Sequence, residues 1–203
     1  MKIFFDLDGT LLNSMERLHK LFLYLVPESR LSFDEYWNYK KNKIGHPEIL
    51  KNNFFYTDSR IEAFKEDWLK LIETPQWLEY DLPFEGVTSY LTELKKKNDL
   101  YLVTARQFED RALSQLEQYG WLNLFNGVFV TGGNKEKYDM IREHVVVDEH
   151  DWFIGDTGKD IKTGKKLEIK TAAVTSGFLN REKLAEYGPD IIIENILQFK
   201  MPL

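Results

Sequence analysis

The chain has 203 residues, room for one ordinary domain or for a medium domain carrying a small second one, and a formal net charge of −6. It contains no cysteine, which excludes a disulfide scaffold, a thiol nucleophile and cysteine-based zinc or iron–sulfur centres. The acidic balance weighs against a nucleic-acid partner, because counterion release needs clustered Lys and Arg, and no apolar run approaches the roughly 20 residues that a membrane-spanning helix needs.

Met1-Lys2 is followed by the short apolar run Ile3-Phe4-Phe5 and then by Asp6, which is not the layout of a secretory leader. A soluble cytoplasmic protein, monomeric or weakly homodimeric, is the expectation. The run itself reads as a buried strand and leads into Asp6-Leu7-Asp8-Gly9-Thr10. From about Ser14 to Leu82 no convincing strand follows. Leu18, Leu21, Phe22 and Leu25 form a helical stripe that Pro27 ends, Ser32 and Glu35 have capping-box spacing, and Asp58 is placed to cap a helix faced by Ile61, Phe64, Trp68, Leu71 and Ile72.

Strand and helix then alternate. A helix faced by Val87, Tyr90, Leu91 and Leu94 precedes the strand Leu100–Val103, which ends in Thr104-Ala105-Arg106; a helix faced by Leu113, Leu116 and Tyr119 precedes Val128–Val130. That strand runs into Thr131-Gly132-Gly133-Asn134, with Lys135 and Lys137 at a helix start. Trp152–Ile154 ends in Gly155-Asp156-Thr157-Gly158-Lys159-Asp160, and Ala172–Val174 and Ile191–Ile193 complete the set. Such alternation predicts an α/β fold, a Rossmann-like parallel sheet with helices on both faces, plus a helical cap inserted after the first strand. The expected division is a core of residues 1–13 and 83–203 and a cap of residues 14–82, hinged near Asn13–Ser14 and Leu82–Pro83.

Ligands of open parallel sheets bind beyond the carboxyl ends of the strands. Read there, the chain offers Asp6 and Asp8, Thr104, a lysine, and Asp156 and Asp160 on one edge. Carboxylates crowded at one edge repel unless some are protonated or a cation lies among them. An all-oxygen set without His or Cys favours Mg²⁺. A lysine and a threonine beside it suit phosphate, which Gly9 and the backbone N–H groups after it can approach closely, so the predicted chemistry is phosphoryl transfer.

The motifs resemble those of the haloacid dehalogenase superfamily, in its phosphoglycolate phosphatase-like, Mg²⁺-dependent branch. Asp6-Leu7-Asp8-Gly9-Thr10 is similar to the family's first motif, Thr104 to the second, a lysine at a helix start to the third, and Gly155-Asp156-Thr157 with Asp160 to the fourth. The resemblance implies Asp6 as nucleophile, Asp8 as general acid and then base, and Thr104, Ala105, Gly9 and the lysine as phosphate contacts. It implies a metal held by Asp6, the Asp8 backbone carbonyl and Asp156, with Asp160 in support. Lys137 matches family variants that lack a proline after the lysine; Lys135 keeps the spacing of the Lys-Pro form but has Glu136 in place of proline, so Lys137 is preferred and Lys135 kept as the alternative.

The resemblance therefore implies a phosphatase acting on a small phosphorylated metabolite, with no nucleic acid and no membrane involved. A phosphomutase using the same motifs, and a non-catalytic member binding a partner through its aromatic-rich insertion, are the alternatives. Arg106 reads equally as a substrate contact or a surface ion pair. Arg17, Lys43 and His46 read chiefly as solvated or structural residues, with reading of the leaving group as the lesser expectation.

Overall fold

The computed structural model describes residues 1–200; the final three positions of the expected core, 201–203, lie outside the described residues. Strand β1 (Lys2–Phe5) and the two-residue β2 (Leu12–Asn13) lead into helices α1 (Met15–Leu25), α2 (Phe33–Lys41), α3 (His46–Phe54), α4 (Asp58–Leu71) and α5 (Pro75–Leu78). The chain returns through β3 (Leu82–Pro83) to α6 (Val87–Lys95), β4 (Asp99–Thr104), α7 (Glu109–Gln118), β5 (Gly127–Val130) and α8 (Lys137–His144). It ends with β6 (Trp152–Gly155), α9 (Gly158–Lys166), β7 (Lys170–Val174), α10 (Arg181–Ala185) and β8 (Ile191–Ile193).

Six strands form one sheet in the order β5-β4-β1-β6-β7-β8, every neighbouring pair parallel. The expected Rossmann-like α/β fold is the fold observed. Successive side chains of a strand point to opposite faces, so each short apolar run feeds two cores. Ile3, Phe5, Leu100, Leu102, Trp152 and Ile154 pack on one face with Val87 and Leu91 of α6 and Leu116 of α7. Phe4, Val103 and Phe153 pack on the other with Ile141 of α8. The edge strands β5 and β8 are only half-buried, where the sequence predicts buried ones.

The five helices between β2 and β3 carry a cluster of their own, in which Leu21, Phe22, Tyr36, Ile49 and Leu50 are fully buried. Each such side chain contributes about 2 kcal/mol of transfer free energy. Helix α1 ends where Pro27 cannot continue it, and Ser32 and Glu35 form the expected capping box of α2. Helix α4 is capped by the Thr57 side chain, with Asp58 its first helical residue, a correction of one position. In α7 the buried face is Ala112, Gln115 and Leu116, so Leu113 lies at its margin. The insertion enters and leaves through β2 and β3, which pair antiparallel with Leu12 opposite Pro83 and Asn13 opposite Leu82. This ladder has too few residues for a periodicity signal.

Candidate active site

From β1 the chain runs outward to β4 and β5, then returns to β6 on the other flank, so the carboxyl ends of β1, β4 and β6 border one crevice. Asp6 follows β1 directly. The turn after it is closed by Leu11 and Leu12 N–H groups donating to the Leu7 carbonyl and by Gly9 N–H donating to the Leu12 carbonyl at 2.7 Å. Gly9 is in the left-handed region at φ 84°, and a Cβ there would stand 2.3 Å from Asp156 Oδ2. Only glycine fits that turn with the Asp156 carboxylate beside it.

Asp156 follows β6 directly, fully buried between Gly9 and Gly177, and its Oδ2 accepts from the Phe178 N–H at 2.6 Å. Its Oδ1 is buried with no hydrogen-bond partner. Oxygens of Asp6, Asp156 and Asp160 lie within 4.8 Å of one another. Burial raises the Asp156 carboxyl well above its ordinary value, and the Asp6 and Asp160 charges push the same way. Burial likewise pushes Asp6 up to about 7, against the pull of Lys137. An orphaned buried oxygen among like charges is the donor set that a divalent cation neutralises.

Lys137 is the first residue of α8, buried, and its Nζ donates to Asp6 Oδ1 at 2.5 Å and to Asp160 Oδ1 at 2.6 Å. Both carboxylates together raise its pKa despite the desolvation of the ammonium. Lys135 lies on the exposed surface and faces Glu143 at 3.6 Å. Asp160 Oδ2 accepts from Thr157 N–H and Oγ1, so this one side chain both caps α9 and holds Lys137. Both Asp160 oxygens therefore already accept hydrogen bonds from protein donors. Thr104, buried at the end of β4, lines the cleft with exposed Ala105; the helix beyond them starts only at Glu109, so Thr104 caps nothing.

The largest departure from the sequence reading concerns two arginines. Arg106 is buried rather than on the surface, and its Nε and Nη2 clasp Asp8 at 2.9 and 2.8 Å. Its Nη2 also reaches Asp81 Oδ2 at 2.9 Å and its Nη1 donates to Gln115 Oε1 at 2.6 Å. Arg17, buried on α1, donates from Nη2 to Asp8 Oδ1 at 2.6 Å. Burial works to raise the Asp8 pKa, but the Arg106 and Arg17 guanidiniums outweigh it and hold Asp8 well below the usual carboxylate range. Asp81 and Gln115 carry no signal in the sequence, since a lone carboxylate and a lone amide on separate segments form no motif. Glu73 is the same kind of residue: its carboxylate accepts from the Gln107 and Phe108 N–H groups at 2.8 and 3.2 Å, tying the insertion to the loop after β4.

His46 and Lys43 do not reach the cleft. His46 packs on Phe22, Tyr36, Phe64 and Trp68 and shares a 2.8 Å hydrogen bond with the Tyr36 hydroxyl. Lys43 is exposed, 5.2 Å from the Tyr187 ring. The cleft, about 250 Å³, is walled on the insertion side by Arg17, Leu18, Trp68, Ile72 and Glu73, and by Phe178 from the loop after β7. Among the described residues, no helix is long and apolar enough to cross a membrane.

The chain is 26% identical to a pyrophosphatase, PpaX, of Oceanobacillus iheyensis over 96% of its own length and 92% of that protein's. It is 27% identical to a phosphoglycolate phosphatase of Aquifex aeolicus, over 94% and 91%. A haloacid dehalogenase-like hydrolase of Streptococcus pneumoniae shares its fold at a TM-score of 0.77 and 23% identity, covering 97% of this chain and 94% of that one. The profile of the haloacid dehalogenase-like hydrolases matches residues 3–174, most of the chain and every strand end described above, and the protein belongs to that family of hydrolases.

Proposed function

We propose that the protein is a cytoplasmic, Mg²⁺-dependent phosphatase that hydrolyses a small phosphate monoester through an aspartyl-phosphate on Asp6. The observation that carries this reading is the Lys137 ammonium spanning Asp6 and Asp160 beside the orphaned Asp156 oxygen. The relatives named phosphoglycolate phosphatase and pyrophosphatase support the same class of reaction. Asp6, Asp156 and the Asp8 backbone carbonyl would hold Mg²⁺, with Asp160 behind them. When bound, the cation supplies neutralisation of the carboxylates and of the phosphate oxygens.

In this reading an Asp6 oxygen attacks phosphorus, the bond to the bridging oxygen breaks, and that oxygen takes a proton from Asp8. Water then loses a proton to Asp8 and attacks the phosphorus, releasing inorganic phosphate and the free Asp6 carboxylate. Lys137 steadies the attacking carboxylate and the transferring group, and Thr104 and Ala105 contact the phosphate oxygens, while Gly9, its N–H already given to the Leu12 carbonyl, shapes the turn instead of touching phosphate. Asp8 in the present arrangement has the ionised, base form; the acid role requires a guanidinium to withdraw first. The five helices of the insertion act as a cap that closes the cleft over the substrate.

The test is phosphate release from 4-nitrophenyl phosphate. Release should require Mg²⁺, stop with chelator and vanish in Asp6→Asn. Activity that survives Asp6→Asn would sink the aspartyl-phosphate, and a wild type that releases nothing would sink the phosphatase reading.

A further inference from the structure

We propose that Arg17 is a specificity-determining residue that binds a second anion on the substrate, so that the preferred substrate is a compact phosphate ester or anhydride whose leaving group is itself negatively charged. The proposal rests on the phosphatase reading above and names its substrate class. Three observations carry it: the bonding of Arg17, its distance from Asp8, and the size and lining of the cleft.

The two guanidiniums are not equally committed. Arg106 uses Nε, Nη1 and Nη2 in good hydrogen bonds to Asp8, Gln115 and Asp81. Arg17 has one short bond, from Nη2 to Asp8, and a long one of 3.3 Å from Nη1 to the Ile72 carbonyl. Its Nε is buried without a partner, although Asp81 Oδ1, also unpartnered, is only 3.1 Å away. A facing donor and acceptor that fail to align show that this is not the best-bonded position for Arg17. Rotating Nη2 off Asp8 frees a fork edge for a planar or tetrahedral anion while Nε stays beside Asp81. Asp8 remains held by Arg106.

Geometry fixes where that anion lies. Asp8 must come within hydrogen-bond reach of the bridging oxygen to protonate it. Arg17 is 2.6 Å from Asp8, so it serves a charge one or two bonds beyond that oxygen. The cleft of about 250 Å³ lies below the usual span of small-molecule sites, about 300–1,000 Å³, which favours a small leaving group over a nucleoside. The other insertion-side walls, Leu18, Trp68 and Ile72, are apolar, and the Glu73 carboxylate is already occupied by backbone N–H groups. A second phosphate and a carboxylate both satisfy Arg17, and guanidinium forks bind either in bidentate fashion.

The experiment compares kcat/KM for inorganic pyrophosphate, 2-phosphoglycolate and 2-hydroxyethyl phosphate, the last being the uncharged counterpart of the second, in wild type, Arg17→Met and Arg17→Lys. Wild type should favour at least one of the two anionic substrates over the uncharged one by about tenfold or more, and the favoured one identifies the second anion as phosphate or carboxylate. Arg17→Met should collapse that ratio at least about tenfold through KM, and Arg17→Lys should restore part of it. The ratio is taken within one preparation, so a general loss of folded enzyme does not move it. A wild type that hydrolyses 4-nitrophenyl phosphate and 2-hydroxyethyl phosphate but shows no preference for the anions overturns the proposal alone. So does an equal loss on all three substrates in Arg17→Met. No release from any phosphate, 4-nitrophenyl phosphate included, overturns the phosphatase reading beneath it.

Discussion

At the scale of single residues, two lysines two positions apart have opposite surroundings. Lys137 is buried against Asp6 and Asp160, while Lys135 is exposed beside Glu143. Lys137→Ala should therefore lower kcat by about 10²-fold or more, and Lys135→Ala by no more than about twofold. Steady-state kinetics on an aryl phosphate checks this, and a severe loss confined to Lys135→Ala would reverse the assignment. Asp156 offers a second test. Burial pushes Asp6 to about 7 and raises Asp156 as well, so these groups bind protons more tightly folded than unfolded. Their stabilising contribution is complete below the unfolded carboxylate pKa and is lost as pH rises, for Asp6 through about 7. A cation that takes the protons' place should raise the melting temperature more at about pH 8 than at about pH 5.5. Asp156→Asn should abolish that Mg²⁺-dependent rise; an unchanged rise would place the metal elsewhere. Asp6, Asp8, Thr104, Asp156 and Asp160 were legible because each follows an apolar run. Arg17 and Arg106 stood out as candidates, but their burial against Asp8 and Asp81 was not legible, because Asp81 lies far from both in sequence and Asp8 far from Arg106.

At the scale of elements, α9 shows how closely the site depends on packing. Its Asp160 reaches Lys137 only because the helix lies hard against β6 and β7. Gly164 sets that approach: a Cβ there would meet Thr171 Cγ2 at 2.4 Å and Phe153 Cβ at 3.1 Å. Gly164→Ala gains helix propensity but must push α9 off the sheet, for a net loss of about 1–3 kcal/mol by thermal or urea denaturation. Activity should fall with it, since Asp160 moves too. A neutral or stabilised variant would show that the helix can shift freely. The six strands of the sheet were legible from their apolar runs, and the capping box at Ser32 from its spacing. The half-buried state of β5 and β8 was not, because strand order, which makes them edges, is not written in local composition.

At the scale of the whole molecule, the insertion has a core of its own whose stability should respond to acid. His46 is packed among four aromatic rings, and burial, helped by the Lys40 charge, holds its pKa well below the ordinary value. It is neutral when folded and takes a proton when unfolded. Its contribution is complete above about pH 6.5 and is lost as pH falls below that, at up to about 1.4 kcal/mol per pH unit. In His46→Gln the stability measured in urea should fall less steeply between about pH 6.5 and pH 5 than in wild type. An identical slope would show that His46 does not govern acid sensitivity. The presence of an inserted helical segment was legible from the missing strands between Ser14 and Leu82, but its contacts with the loop after β4, made by Glu73 and Asp81, were not.

The two-residue ladder of β2 and β3 has a consequence for how the chain finds this fold. Strands β1 and β4 are adjacent in the sheet, Ile3 opposite Leu100, and closing a loop of roughly 100 flexible residues is entropically costly and slow. Once the insertion has folded about its own core, Leu12 and Leu82 are neighbours, and β1 and β4 are separated by little more than a turn and α6. An insertion that folds first thus works as a short-circuit, converting the β1–β4 pairing from a distant one into a nearly local one. Its order of assembly would be local helices first, ladder second, central strands last.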